Sequence, residues 1–154
     1  MADCESGNER VLIMIKPHVF IDFEMYPKIQ IVSTIMSTYM SLGLKVTHLK
    51  LVNNLDLPQI EKLYSVHRDK DFYNKDIIGR MIRGMSFVFI LEGADAVRKS
   101  RQLSGATNPE EAENRSIRKL FGRNEKGPNN GVHNSDSAES FAREAKIFFP
   151  GLNF

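Results

Sequence analysis

Apolar residues along the chain fall into blocks whose period changes from strand-like to helical and back. Val11 to Ile15 is a continuous apolar run, rich in β-branched residues, that stops at Lys16-Pro17. Such a run predicts a buried strand ended by proline, which cannot donate to a ladder. From Ile29 to Leu42 the residues Ile29, Val32, Met36, Tyr39 and Met40 recur at helical spacing, with Gly43 where a helix C-cap belongs. Leu44 to Val52 predicts a strand whose alternation changes phase between Val46 and Leu49, as a bulge or an edge position would require. Pro58 opens a short helix through Tyr64, and Phe72 to Arg83 predicts another, ending at Gly84. Ser86 to Leu91 is a second buried strand, and Ala94 to Leu103 a helix rich in basic residues.

Asn108-Pro109-Glu110-Glu111 has a cap, a proline at the first helical position and a carboxylate three residues after the cap, predicting a helix to about Phe121. Gly122 to Gly131 predicts a loop, with Gly127-Pro128-Asn129-Asn130 supplying the turn. A last helix is expected from Ser135 or Asp136, with Ala138, Phe141, Ala142, Ala145 and Phe148 as its apolar stripe. Strands alternating with helices give an α/β or α+β class. The pattern suits a small sheet covered by helices on one face. Residues 1–10 form a polar N-terminal segment and residues 11–154 a single domain. No repeat or low-complexity stretch interrupts it.

Composition narrows this little. The 154 residues carry a formal net charge of +2, which gives no overall electrostatic footprint for nucleic acid. A lone cysteine, Cys4, cannot form an internal disulfide, and with no signal or transit pattern before Arg10 the expectation is cytoplasmic. No apolar stretch approaches the roughly 18 residues of a membrane span, so no membrane association is expected. Neither a Gly-x-x-x-x-Gly-Lys-Ser/Thr loop nor a Gly-x-Gly-x-x-Gly fingerprint occurs. His18, His48, His67 and His133 lack metal-ligand spacing.

The chemistry concentrates around His133, in Asn130-Gly131-Val132-His133-Asn134-Ser135-Asp136-Ser137. A position immediately upstream of a helix N-terminus would favour a phosphate and disfavour a protonated imidazole. Glu144 follows Ser137 by two helical turns, on nearly the same side, where a carboxylate and hydroxyls orient an imidazole. Alone, a histidine before a helix is more often a surface residue, and Glu144 a solvated helix-edge charge.

The wider order changes that balance. Asn-x-x-His-x-Ser-Asp-Ser, then Glu-Ser and Arg-Glu on the last helix, resembles the signature of nucleoside diphosphate kinases. Met14-Ile15-Lys16-Pro17, Tyr64, Phe72, Glu92-Gly93, Arg101, Gly105-Ala106-Thr107-Asn108-Pro109 and Arg118 match the family pattern in order, from Val11 to about Phe149. The resemblance implies a ferredoxin-like, four-stranded antiparallel sheet covered by helices. It also implies ping-pong transfer of a γ-phosphate between nucleoside tri- and diphosphates. By the same match His133 carries the phosphate, and Ser135 and Glu144 orient its ring. Lys16, Tyr64, Arg101, Thr107, Arg118 and Asn130 contact phosphates and ribose, and Phe72 stacks on the base with Ile77 on the same pocket wall. It implies Mg²⁺ carried by the nucleotide phosphates, and a homo-oligomer, a hexamer or a tetramer built from dimers.

Chemistry supports these roles. Phosphoryl transfer needs positioning and cations around the equatorial oxygens, and Lys16, Arg101 and Arg118 supply three from separate elements. The chain departs from the family where His18 replaces an aspartate after Lys-Pro and Asn134 replaces a glycine after the histidine. Asparagine there suits a backbone with positive φ. The 17–42 segment and the loop before Asn130 are longer than usual. Two other readings stand beside the enzyme. One is a catalytically silent homologue acting as a nucleotide-binding or assembly subunit. The other is an RNA-binding module, since Arg83-Gly84-Met85-Ser86-Phe87-Val88-Phe89-Ile90 partly resembles an RNA-recognition octamer but lacks aromatics at Met85 and Ile90.

Overall fold

The computed structural model describes residues 7–65, 78–82, 84–123 and 129–154. Within them the order is β1 (Asn8–Ile15), α1 (Pro17–Asp22), α2 (Lys28–Met40), β2 (Lys45–Asn53), α3 (Leu57–Leu63), α4 (Ile78–Met81), β3 (Met85–Ala94), α5 (Ala96–Ser104), α6 (Ile117–Phe121), β4 (Val132–Asn134) and α7 (Ala138–Phe148). The sheet is antiparallel throughout, ordered β2-β3-β1-β4. That order, with helices between the strands, is the ferredoxin-like arrangement.

β1 shows why its sequence has no polar face. Val11 to Ile15 are all fully buried between β3 and β4. Side chains alternate across a strand, so Val11, Ile13 and Ile15 meet α1 and α2 through Val19, Phe20, Ile35 and Tyr39. Leu12 and Met14 point the other way, to Ile60 and Leu63 of α3 and to Phe141, Ala145 and Phe148 of α7. Helices therefore cover both faces, not the single face expected from the sequence. The cause is visible in the continuous apolar run: a half-solvated strand would alternate. β1 itself starts at Asn8, inside the polar N-terminal segment.

β2 is one edge strand, β4 the other, and the phase change in β2 is a register shift between Val46 and His48 opposite β3. Leu49 and Leu51 stay half-exposed on β2. On β3, Phe89 is fully buried and edge-on to Tyr39, while Phe87 packs against the same core. Neither aromatic is presented as a base-stacking platform of the octamer type would be. Truncating Phe89→Ala is expected to cost about 3–5 kcal/mol. The measurement is the denaturant midpoint, which should fall with an unchanged m-value.

Boundaries differ from the sequence reading: β3 runs on to Ala94, so α5 starts at Ala96 and not at Ala94, and three other helices depart further. The helix expected from Pro109 forms only at Ile117–Phe121. Asn108 Oδ1 accepts the Glu110 N–H at 3.1 Å, which makes a turn, and Arg115 has φ +71°, which no helix continues through. Ser116 then caps anew by accepting the Lys119 N–H. The last helix starts at Ala138 because Ser137 is the cap, accepting the Ser140 N–H at 3.1 Å. Pro17 opens α1 directly after β1, a helix absent from the sequence reading. Most of the 72–83 helix, Cys4 and the Gly127-Pro128 part of the predicted turn lie outside the described residues. Among the described residues no helix is long and apolar enough to cross a membrane.

Candidate active site

The end of β1 builds the first half of the site. Pro17 stops the strand, so Lys16 sits at its tip, buried, with its backbone N–H donating to the Gly131 carbonyl at 2.9 Å. Its Nζ donates to Asn130 Oδ1 at 2.7 Å and lies 5.8 Å over the Tyr64 ring. Asn130 Nδ2 donates in turn to the Thr107 carbonyl at 2.9 Å. One asparagine thus ties the lysine to the loop after α5. Burial, and next the nearby Arg118 guanidinium, pull the Lys16 ammonium down to about 7.

The second half is β4. His133 does not lie in a loop abutting a helix. It is the middle residue of a three-residue strand and pairs with Met14. Helix α7 begins five positions later, with Ser137 already capping its Ser140 amide. The helix meets the ring through its middle: the buried Glu144 places Oε1 3.0 Å from His133 Nε2. Alignment falls outside that of a formed hydrogen bond, so the contact is one of proximity. Glu144 Oε2 accepts the Ser135 hydroxyl at 2.6 Å, and the Leu12 N–H donates to the same Ser135 oxygen at 3.0 Å. Ser135 therefore fixes the carboxylate, and through it the ring, without touching the imidazole. Tyr64 stands edge-on to His133, with 6.1 Å between ring centroids. Burial first, and the Glu144 carboxylate next, push its hydroxyl well above the usual phenol range.

Arg118 on α6 joins the two halves. Its Nη1 donates to the Gly105 carbonyl at 2.8 Å, and Nε and Nη2 reach the Val132 carbonyl at 3.4 and 3.3 Å. Burial holds its guanidinium below the usual arginine range, but the group stays cationic. Arg101, Thr107 and Arg118 line one open groove of about 780 Å³. Among the described residues no three His, Cys, Asp or Glu side chains gather to hold a metal ion. Phe72 and Ile77 lie outside the described residues.

Asn134 is not in a positive-φ position: Asn54, Asp95 and Arg115 are the described non-glycine residues with positive φ. Asn134 lies within β4 and spends its amide on α5, donating to Ser104 Oγ at 2.9 Å and accepting from Ser100 Oγ at 3.3 Å. Ser104 Oγ also meets the Tyr39 hydroxyl at 2.7 Å. Sequence reasoning missed this buried chain because no local pattern links positions 39, 104 and 134. It likewise missed that His18 contacts the Gly131 amide.

Lys16 at the tip of β1 lies beside β4, which carries His133, and Arg118 bonds to the residue before His133. Arg101 and Thr107 share with Arg118 a groove that neither Lys16 nor His133 lines. Residues 9–154 match the family model described as nucleoside diphosphate kinase. A nucleoside diphosphate kinase of Nitrosospira multiformis is 40% identical over 145 residues, 94% of this chain and 95% of that protein. One of Clostridium perfringens is 38% identical over 142 residues, 92% of each. The fold superposes on the Aquifex aeolicus nucleoside diphosphate kinase with TM-score 0.81 at 29% identity, covering 94% of this chain and 97% of that one. The chain belongs to the nucleoside diphosphate kinase family.

Proposed function

We propose that this chain transfers the γ-phosphate of a nucleoside triphosphate to a nucleoside diphosphate in two half-reactions, with His133 holding the phosphate between them. The observation that carries it is Glu144 Oε1 at 3.0 Å from His133 Nε2. A buried carboxylate there favours the proton on Nε2 and leaves the Nδ1 lone pair as nucleophile. Nδ1 attacks the γ-phosphorus, the bond to the bridging oxygen breaks, and the diphosphate leaves with the electron pair. A terminal oxygen of the second diphosphate then attacks the phosphohistidine and regenerates the neutral ring.

Lys16, Arg101 and Arg118 balance the charge on the transferring group. Thr107 gives a hydroxyl to a phosphate, Tyr64 contacts the phosphates, and Asn130 with Lys16 holds the ribose end. Phe72 stacks on the base, with Ile77 beside it. The cationic set around His133 fits polyphosphate better than a bare metal ion. Mg²⁺ would ride on the β- and γ-phosphates, neutralising charge as it builds. The assembly is a hexamer or a tetramer of dimers, and the protein works in the cytoplasm on free nucleotides. Initial rates test the mechanism: double-reciprocal plots at several fixed diphosphate concentrations should be parallel. Intersecting lines would replace the phosphoenzyme by direct transfer in a ternary complex.

Lys16 supplies a pH prediction. With its ammonium at about 7 in the empty site, the lysine is mostly neutral at pH 8. Bound polyphosphate favours the charged form and raises that value. Binding therefore takes up protons above pH 7, and affinity falls as pH rises, by at most tenfold per unit for one proton. Calorimetry of ADP binding at pH 8, in buffers of different ionisation enthalpy, should show uptake in the wild type and none from this group in Lys16→Met.

A further inference from the structure

His18 is the second residue of α1 and is buried beside the site without being one of its phosphate contacts. Its Nε2 accepts the Gly131 N–H at 2.9 Å. A backbone amide can only donate, so that nitrogen carries no proton, and the ring proton sits on Nδ1. Nδ1 lies 2.9 Å from Asp22 Oδ2, one helical turn along α1. Asp22 is nearly buried and is gripped by both Nε and Nη2 of Arg123, the former at 2.6 Å. The Arg123 N–H donates to the Asn129 carbonyl at 2.8 Å. Arg123, Asp22, His18 and Gly131 thus form one line of hydrogen bonds joining α1 to the start of β4.

The amide it ends on occupies a constrained place. Gly131 has φ +83°, and a Cβ there would sit 3.3 Å from Phe121 Cβ. Its carbonyl already accepts from the Lys16 N–H. With His18 on its N–H, the peptide is fixed from both sides. Asn130 just before it grips Lys16, and Val132 just after it receives Arg118. A tilt of this peptide would move the lysine's partner and the strand that carries His133.

We propose that His18 is a positioning residue for the phosphate site. Held in one tautomer by the Asp22–Arg123 pair, it fixes the Gly131 peptide and so sets the Asn130–Lys16 grip and the start of β4. The proposal rests on the nucleotide reading above.

The test compares wild type with His18→Leu and His18→Gln, whose side-chain oxygen can accept from the amide. Each is read by ADP affinity, by kcat and KM separately, and by thermal melting. His18→Leu should weaken ADP binding and raise KM by roughly tenfold, and should lower kcat as well, because the peptide it fixes sets both the Lys16–Asn130 grip and the strand that carries His133. His18→Gln should recover most of that loss. Unchanged ADP affinity in folded His18→Leu, or no recovery by His18→Gln, would overturn the proposal. Should both variants fail to fold, ¹⁵N shifts of the wild-type imidazole decide. A protonated Nδ1 and an accepting Nε2 agree with the relay, and the reverse tautomer contradicts it. A wild type that exchanges no phosphate would sink the kinase reading alone, since ADP affinities still report on His18.

Discussion

His133→Ala is expected to lower phosphate exchange between nucleotides by roughly 10⁴-fold or more, while ADP affinity stays close to wild type. The size follows from the route. With the phosphate parked on an imidazole, nothing else at the site can take it: Tyr64 is held protonated by burial and by Glu144, and Ser135 is spent on Glu144 and Leu12. Affinity should survive because the phosphate and ribose contacts assigned to Lys16, Asn130 and Arg118 do not pass through the ring. The fold should survive as well. Glu144, left without its imidazole, keeps the Ser135 hydroxyl at 2.6 Å and has Arg143 Nη2 at 3.8 Å. Exchange rates and calorimetry on the same preparation check both halves. Exchange within a hundredfold of wild type would mean a different phosphate carrier.

Arg118→Ala should be the next most damaging change, lowering kcat by roughly 10²–10³-fold as expected for loss of one preorganised charge donor at the transferring group. The side chain is already held in place. Its bonds to the Gly105 and Val132 carbonyls hold it between the loop after α5 and the residue before His133. Those bonds add a structural cost: one net hydrogen bond is worth about 1 kcal/mol, or roughly 4 °C in Tm for a domain of this size. Arg118→Lys should fall between wild type and alanine, since an ammonium keeps the charge but loses the planar fork. A kcat unchanged in Arg118→Ala, with only Tm reduced, would make the residue a brace and not a charge stabiliser.

What the sequence carried, and what it did not, divides by range. β1 was legible because Val11 to Ile15 is one apolar run, and α7 because its stripe is regular. The phase change in β2 was legible, and its register shift gives the reason. β4 was not, since three residues, Val132-His133-Asn134, are too few to show a period; they are strand only because β1 offers a partner. The early start expected for α7 failed for a related reason: Ser135 continues the ladder with Leu12, leaving Ser137 to cap. Of the residues expected at the site from their order in the sequence, Lys16, Tyr64, Asn130, His133, Ser135 and Glu144 are brought into contact by the fold. Their connections were not legible, because Lys16–Asn130, Ser135–Glu144 and His18–Gly131 join segments that only the fold brings together. Asn134 illustrates the limit: its substitution was visible, but its place in a buried chain to Tyr39 depends on α5 packing against β4 and on Tyr39 of α2 reaching Ser104.

The most direct test of the central claim is to incubate the purified protein with γ-labelled ATP and Mg²⁺, and then to ask where the label is. An acid-labile, base-stable label is expected on the wild type. None should form on His133→Ala, and the label should chase completely into a new triphosphate when a different nucleoside diphosphate is added. Absence of label on folded wild-type protein that still binds nucleotide would contradict the claim, leaving a nucleotide-binding homologue that transfers no phosphate.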